Sequence, residues 1–452
     1  MFRRLFIANR GEVAVRVART ARALGIETVG GASAADLDAS WTRQLDEVVC
    51  LGPAASSQSY LDLEALVQAA RQTGCAAVHP GWGFLAENAR FAALCEQHGL
   101  TFVGPSPSII ERMGLKWPSK AAARASGLPL IPGSEGLLQS VDEAVELARE
   151  IGWPVMVKAD AGGGGRGMRR CVDEESLRTG YAQASAEAQA AFGDGSVYIE
   201  KFVERPRHVE VQILADREGN VVHLGERDCS IQRRHQKLIE ESPSAALTPK
   251  LRTKIGEAAV RMAKAAGYST AGTVEFLVDT HGNFYFIEVN ARIQVEHTVT
   301  EMVSGVDLIQ EQIRTAAGLP LRVRQKDIQP SGHCIECRIN AEDPARNFQP
   351  SPGLVTSFVP PGGPGVRVDS HCYGGYRIPP NYDSMVGKLL VHRPTRDEAI
   401  STMLRALDEF VVEGVATTIP ILKEILDNAE FRSGAHDTGF VERWFAAHKE
   451  GS

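Results

Sequence analysis

The sequence predicts a multidomain protein that combines α/β and α+β units, on three observations. Its 452 residues exceed one ordinary core, domains typically holding ~100–200 residues. Its N-terminal quarter alternates short apolar runs with amphipathic stretches, the pattern of βα units that build a parallel sheet with helices on both faces. Further along, strand alternation dominates until helical periodicity returns from Arg396 to about Asn428.

In order, strands are expected at 2–8, 27–30, 76–79 and 101–104, and helices at 11–24, 61–73 and 87–98. These close a first domain at residues 1–113. A helical run from Leu115 leads to Gly127-Leu128-Pro129 and Pro132-Gly133, after which Val155-Met156-Val157-Lys158 starts a second strand system within residues 114–328. From Ser331 the chain reads as strands, broken by Pro360-Pro361-Gly362-Gly363-Pro364-Gly365, then as helices, giving a mixed third domain at 329–452.

A net charge of −7 and a pI near 6.0 supply no global basic field for nucleic acid, so an anion site must be local. No apolar stretch approaches the ~20 residues of a membrane span, and Met1 to Asn9 reads as a strand rather than a secretory segment. A cytosolic protein is expected. The eight scattered cysteines suit reduced thiols. Cys334 and Cys337, three apart on an expected strand, point to opposite faces and cannot share a metal.

Gly162-Gly163-Gly164-Gly165-Arg166-Gly167-Met168 follows a strand ending in Lys158. Adjacent glycines let backbone N–H groups close around phosphates, and Lys158 adds a point charge. The spacing is neither a Walker A nor a Rossmann fingerprint.

A hairpin is expected from Thr273–Val278 through Asp279-Thr280-His281-Gly282 to Asn283–Asn290. The simplest closure places Glu275 opposite Phe286, so that Glu275 shares a face with Glu288 and Asn290. Two carboxylates and an amide make a hard-oxygen site suited to Mg²⁺ completed by phosphates. If the chain stays extended, Arg292, Gln294 and Glu296 project to the same side, offering a cation for a small planar oxyanion and a carboxylate to take its proton. The cluster Arg233-Arg234-His235-Gln236-Lys237 reads on its own as a solvated face.

Taken together, Ile7-Ala8-Asn9-Arg10-Gly11-Glu12, His79-Pro80-Gly81, Gly83-Phe84-Leu85, the glycine run, Glu226 to Lys237, Arg292 to His297 and Glu336 to Pro344 resemble the biotin carboxylase family end to end. The resemblance implies a Rossmann-like pre-ATP-grasp domain, an ATP-grasp domain with a mobile lid near 131–203, and a biotin carboxylase C-terminal domain. It places Lys116, Lys158, Gly163, Gly164, Gly165, Met168, Glu200, Lys201, His208, Gln232 and His235 at the nucleotide. Glu275, Glu288 and Asn290 take the metal, Mg²⁺ or in its stead Mn²⁺. Lys237, Arg292, Gln294, Val295 and Glu296 form the bicarbonate pocket, and Arg338 faces biotin, with Trp82 on the same side.

The implied chemistry is ATP-dependent: Glu296 deprotonates bicarbonate, the anion attacks the γ-phosphoryl group, and carboxyphosphate delivers CO₂ to biotin while Arg338 stabilises the charge on its ureido oxygen. This is the first half-reaction of a biotin-dependent acyl-CoA carboxylase, such as acetyl-CoA carboxylase of fatty acid biosynthesis. No Met-Lys-Met biotinyl signature occurs, so a biotin carboxyl carrier protein and a carboxyltransferase are expected on partner subunits or elsewhere in a longer polypeptide, with the chain itself a homodimer. The family's Met-Gly-Asp-Lys reads Met113-Gly114-Leu115-Lys116-Trp117-Pro118, and Trp82 stands where tyrosine is usual. Another ATP-grasp ligase would share the glycine run and the metal set, but not the segments at Arg292–Glu296 and Arg338. The changes at Trp82, Leu115 and Trp117 motivate a further alternative, a nucleotide-binding subunit with reduced turnover, against which Lys237, Glu296 and Arg338 speak.

Overall fold

The computed structural model describes residues 1–160 and 167–449. Gly163, Gly164 and Gly165 therefore lie outside the described residues, whereas Met168 lies inside.

Five parallel strands form the first sheet in the order Glu47–Gly52, Glu27–Ser33, Arg4–Ile7, Ala77–His79, Thr101–Phe102. Alternation along the central strand decides what each face covers. Leu5 and Ile7 join Val13 and Val17 of the helix Gly11–Ala23, while Phe6 joins Leu66 and Phe91 of the helices Leu63–Gln72 and Ala89–Gln97. Asp62 and Asn88 cap the latter two by accepting from the Ala65 and Phe91 N–H groups. The edge strand Glu47–Gly52 was not anticipated; its side chains are half-buried or exposed, so it carries little apolar signal.

Beyond the helix Lys116–Ala125, three antiparallel strands, Met168–Cys171, Val155–Ala159 and Val197–Lys201, are covered by the helices Val141–Ile151 and Glu174–Phe192. Val145, Val157, Leu177 and Ile199 belong to an apolar cluster of this unit alone, separate from the rest of the core.

The largest sheet has eight strands, all antiparallel, in the order Phe284–Asn290, Thr270–Val278, Arg207–Ala215, Val221–Arg233, Gln236–Ser242, His333–Asn340, Met385–Arg393, Val366–Ser370. It runs without a break from the middle of the chain into its C-terminal part, where the helix Arg396–Glu409 packs on it through Ile400, Met403 and Leu407. Among the described residues no helix is long and apolar enough to cross a membrane.

Two expectations need correction. The hairpin pairs Val278 with Phe284 and Phe276 with Phe286, one residue away from the expected register. Continued unchanged, that register would turn Glu275 to the face opposite Glu288. A bulge at Ile287 restores parity and sets Glu275 directly opposite Glu288. The second concerns the chain after Asn290, which leaves the sheet. Glu296, at φ −81 and ψ 10, heads the helix His297–Ser304, so Arg292, Gln294 and Glu296 are not aligned by strand alternation.

Candidate active site

Four neighbouring strands set Glu288, Glu275, Glu210 and Arg227 side by side in one cross-strand row. Like charges in such a row are costly unless each is neutralised. The half-buried Lys237 does most of that: its Nζ lies 2.6 Å from Glu210, 3.2 Å from Glu275 and 2.6 Å from Glu296. It reaches them because the tight turn of its hairpin passes through Arg234 and His235 in the left-handed region, φ 49 and 64. The basic cluster is thus a hairpin tip whose last residue turns inward, rather than a uniformly solvated face.

Burial disfavours the Lys237 ammonium, but the surrounding carboxylates raise its pKa well above the ordinary value. Conversely, burial would raise Glu275 and Glu296, yet Lys237 holds both well below the carboxylate range, aided by His208 at Glu275 and by Arg338 at Glu296. His208 Nε2 lies 3.0 Å from Glu275 Oε2, and Gln232 Nε2 lies 3.3 Å from His208 Nδ1.

Arg338 rises from the strand His333–Asn340 and donates to Glu296 Oε2 at 2.9 Å and, through Nε, to Glu240 at 2.6 Å. Gln294 donates to Glu275 Oε1 at 3.0 Å and accepts from Arg227 at 2.9 Å. Arg292 is not bridged to Glu296. It donates to Glu87 Oε2 at 2.8 Å and to Asn290 Oδ1 at 3.0 Å, and Glu87 also accepts from the Ala291 N–H at 3.0 Å. The Val295 carbonyl accepts from Lys388 at 2.8 Å.

On the nucleotide side, Lys116 lies 3.0 Å from Glu288 and Lys158 lies 2.6 Å from Glu200, which also pairs with Lys120. Burial and neighbouring lysines push Lys158 down to about 8 and Lys120 to about 6. An anion entering here favours their charged forms. Met168 opens the strand that pairs it with Lys158, and His235 sits exposed on the hairpin tip. Two expected residues stand apart. Lys201 donates to the carbonyls of Gly152 and Trp153 at 3.2 and 2.7 Å, and Trp82 packs half-buried against the large core while its carbonyl accepts from Asn9.

Glu275 and Glu288 face each other across the hairpin, and both are presently matched by nitrogen cations. Such a pair of hard oxygens fits a divalent cation that shares the site with phosphates. Beside them the Asn290 amide donates to Glu275 at 2.9 Å and its Oδ1 accepts from Arg292 at 3.0 Å.

Sequence reading missed Glu87, Lys120, Glu210, Arg227, Glu240 and Lys388. Signals existed for some. The alternation His208-Val209-Glu210-Val211-Gln212 places two further polar groups on the face of His208, and Lys388 interrupts an apolar strand, where a lone charge demands a partner. Glu87 gave none, being exposed on a loop of the first domain.

The fold and the site define an ATP-grasp ligase. Three family models cover the chain: "Biotin carboxylase, N-terminal domain" over residues 1–110, "Carbamoyl-phosphate synthase L chain, ATP binding domain" over 116–324 and "Biotin carboxylase C-terminal domain" over 336–443. Biotin carboxylase 1 of Bacillus subtilis is 55% identical over 445 residues, 98% of this chain and 99% of its own. Among solved structures, the biotin carboxylase domain dimer of Hydrogenobacter thermophilus 2-oxoglutarate carboxylase, in complex with MgADP, ADP and bicarbonate, is 49% identical at a TM-score of 0.94, covering 98% of both chains. A biotin carboxylase–β,γ-ATP complex from Campylobacter jejuni is 48% identical at a TM-score of 0.96, covering 98% and 99%. The chain belongs to the biotin carboxylase family.

Proposed function

We propose that the chain carboxylates biotin on a carrier protein, using ATP and bicarbonate, as the first half-reaction of a biotin-dependent carboxylase. The observation that carries this reading is the carboxylate Glu296 held between Lys237 and Arg338, with Arg292 close enough to feel its charge. Within this reading Lys237 and Arg292 bind bicarbonate, and the ionised Glu296 accepts its proton. The freed oxygen attacks the γ-phosphorus, the bond to the ADP oxygen breaks, and carboxyphosphate forms while Lys116 and Lys158 balance charge on the phosphoryl oxygens.

The depressed proton affinity of Glu296 suits the resting state. Each cation that turns from it towards a substrate raises its basicity at the moment a base is needed. Arg338, turned from Glu296, faces the ureido oxygen as negative charge develops there, and the phosphate released from carboxyphosphate takes the adjacent N–H proton. Glu275, Glu288 and Asn290 would hold a divalent ion, which would supply charge neutralisation to the phosphates. Gln232, His208, His235, Met168 and Glu200 bound the nucleotide, and Lys201, whose ammonium is taken by the Gly152 and Trp153 carbonyls, contributes through its main chain beside Glu200.

The domain boundaries read at 113 and 328, operation as a homodimer, and a separate carrier and carboxyltransferase belong to the same reading. An acyl-CoA is the proposed final acceptor. The test is ATP hydrolysis as a function of bicarbonate, with and without free biotin. Bicarbonate-dependent turnover stimulated by biotin is expected; turnover indifferent to both refutes the assignment.

A further inference from the structure

Lys388 is fully buried in the strand Met385–Arg393, directly across from Arg338 in the neighbouring strand. Cross-strand partners share a sheet face, so two cations stand side by side beneath the segment that holds the bicarbonate residues. Each takes a different handle on it. Arg338 grips the Glu296 carboxylate at 2.9 Å, and Lys388 grips the preceding main chain, donating to the Val295 carbonyl at 2.8 Å. The ammonium is matched by Glu12 of the first domain, whose Oε1 lies 3.2 Å away. Glu12 is itself buried in the helix Gly11–Ala23.

A fully buried charge is tolerated only where its bonds are worth more than its desolvation. An uncharged apolar residue would fill this strand position more simply, and core strands favour one. Asp369, paired across the other side of Lys388, and Glu336 near by, make the environment anionic enough to keep the ammonium charged. The Val295 carbonyl is therefore held by a permanent cation fixed from two directions, by the third domain's strand and by the first domain's helix.

We propose that Lys388 is a positioning residue for the bicarbonate pocket, fixing the Val295–Glu296 segment, and that Glu12 couples that position to the docking of the first domain. This rests on the assignment of residues 292–296 to bicarbonate. Removing the ammonium frees the Val295 carbonyl, and with it the Glu296 carboxylate, while leaving Lys116, Lys158 and Glu288 untouched.

The experiment measures bicarbonate-dependent ATP hydrolysis by the full chain for wild type, Lys388→Met and Glu12→Gln, with circular dichroism to confirm folding. Loss of a charge-assisted hydrogen bond predicts a rise in the bicarbonate KM of roughly tenfold or more for Lys388→Met, with the ATP KM within about twofold. Glu12→Gln keeps the ammonium and fills the same volume, so it carries the test if Lys388→Met fails to fold, and it shifts the bicarbonate KM the same way by a smaller factor. An unchanged bicarbonate KM in a folded variant, or equal shifts for ATP and bicarbonate, overturns the positioning role. A wild type whose turnover ignores bicarbonate overturns the underlying assignment, and this proposal with it.

Discussion

Glu296→Gln separates chemistry from architecture because the two cations that hold Glu296 keep other partners. Lys237 retains Glu210 at 2.6 Å and Glu275 at 3.2 Å, and Arg338 retains Glu240 at 2.6 Å. No charge is left unpaired in the core, so the folding cost is that of weakened charge-assisted hydrogen bonds, about 1.5–3 kcal/mol. Because Glu296 is held well below its ordinary value of 4.5, its ionised form contributes stability above that pH and loses it as the solution is acidified. The difference in Tm between wild type and variant should therefore narrow in acid. Catalysis responds on another scale. Loss of a positioned base costs about 10²–10⁴ in rate, which corresponds to about 2.7–5.4 kcal/mol on the barrier. The assay is phosphate release at saturating ATP and bicarbonate with free biotin, alongside thermal unfolding at several pH values. A folded variant within threefold of wild-type kcat would refute the base assignment.

Arg227→Met should be the most destabilising of the site substitutions. It strips five hydrogen bonds to Glu210, Gln212, Thr300, Thr273 and Gln294 from a fully buried guanidinium, and about 3–5 kcal/mol lost in denaturant unfolding is expected. Burial pushes Glu240 up to about 7 from 4.5, so its ionisation costs the folded state stability as pH rises through that window; Glu240→Gln should gain on wild type in Tm from pH 5 to 8. A gap that shrinks over that range would contradict the shift. Lys116→Met should bind Mn²⁺ more tightly without nucleotide, measured by electron paramagnetic resonance, because it releases Glu288 from a 3.0 Å ion pair. Unaltered Mn²⁺ affinity would show that the pair does not compete with the metal.

Periodicity made the parallel sheet and its helices legible, and it put Glu275, Glu288 and Asn290 on one face. It reached that result through a hairpin register that is one residue off, because a bulge at Ile287 has no signature in residue types and compensates for the shift. Continuing the strand to Glu296 failed for a related reason. Gln294 and His297 close a turn by local hydrogen bonding, with the Gln294 carbonyl accepting at 2.7 Å from the His297 ring and also from its backbone N–H. That preference is invisible to alternation. Glu87 and Lys388 escaped notice because their partners are far away in sequence: Glu87 meets Arg292 and Lys388 meets Glu12 only once three parts of the chain are assembled.

The unbroken eight-stranded sheet also decides how such a chain can be rearranged. A cut between residues 328 and 333 would strip Gln236–Ser242 of its neighbour His333–Asn340 and expose a row of main-chain donors and acceptors ready to pair with other copies. Recombination at that seam yields two sticky halves rather than two modules. Shuffling that preserves solubility has to enter elsewhere, at surface turns such as the exposed residues 362–364, where an inserted segment leaves every ladder of the sheet intact.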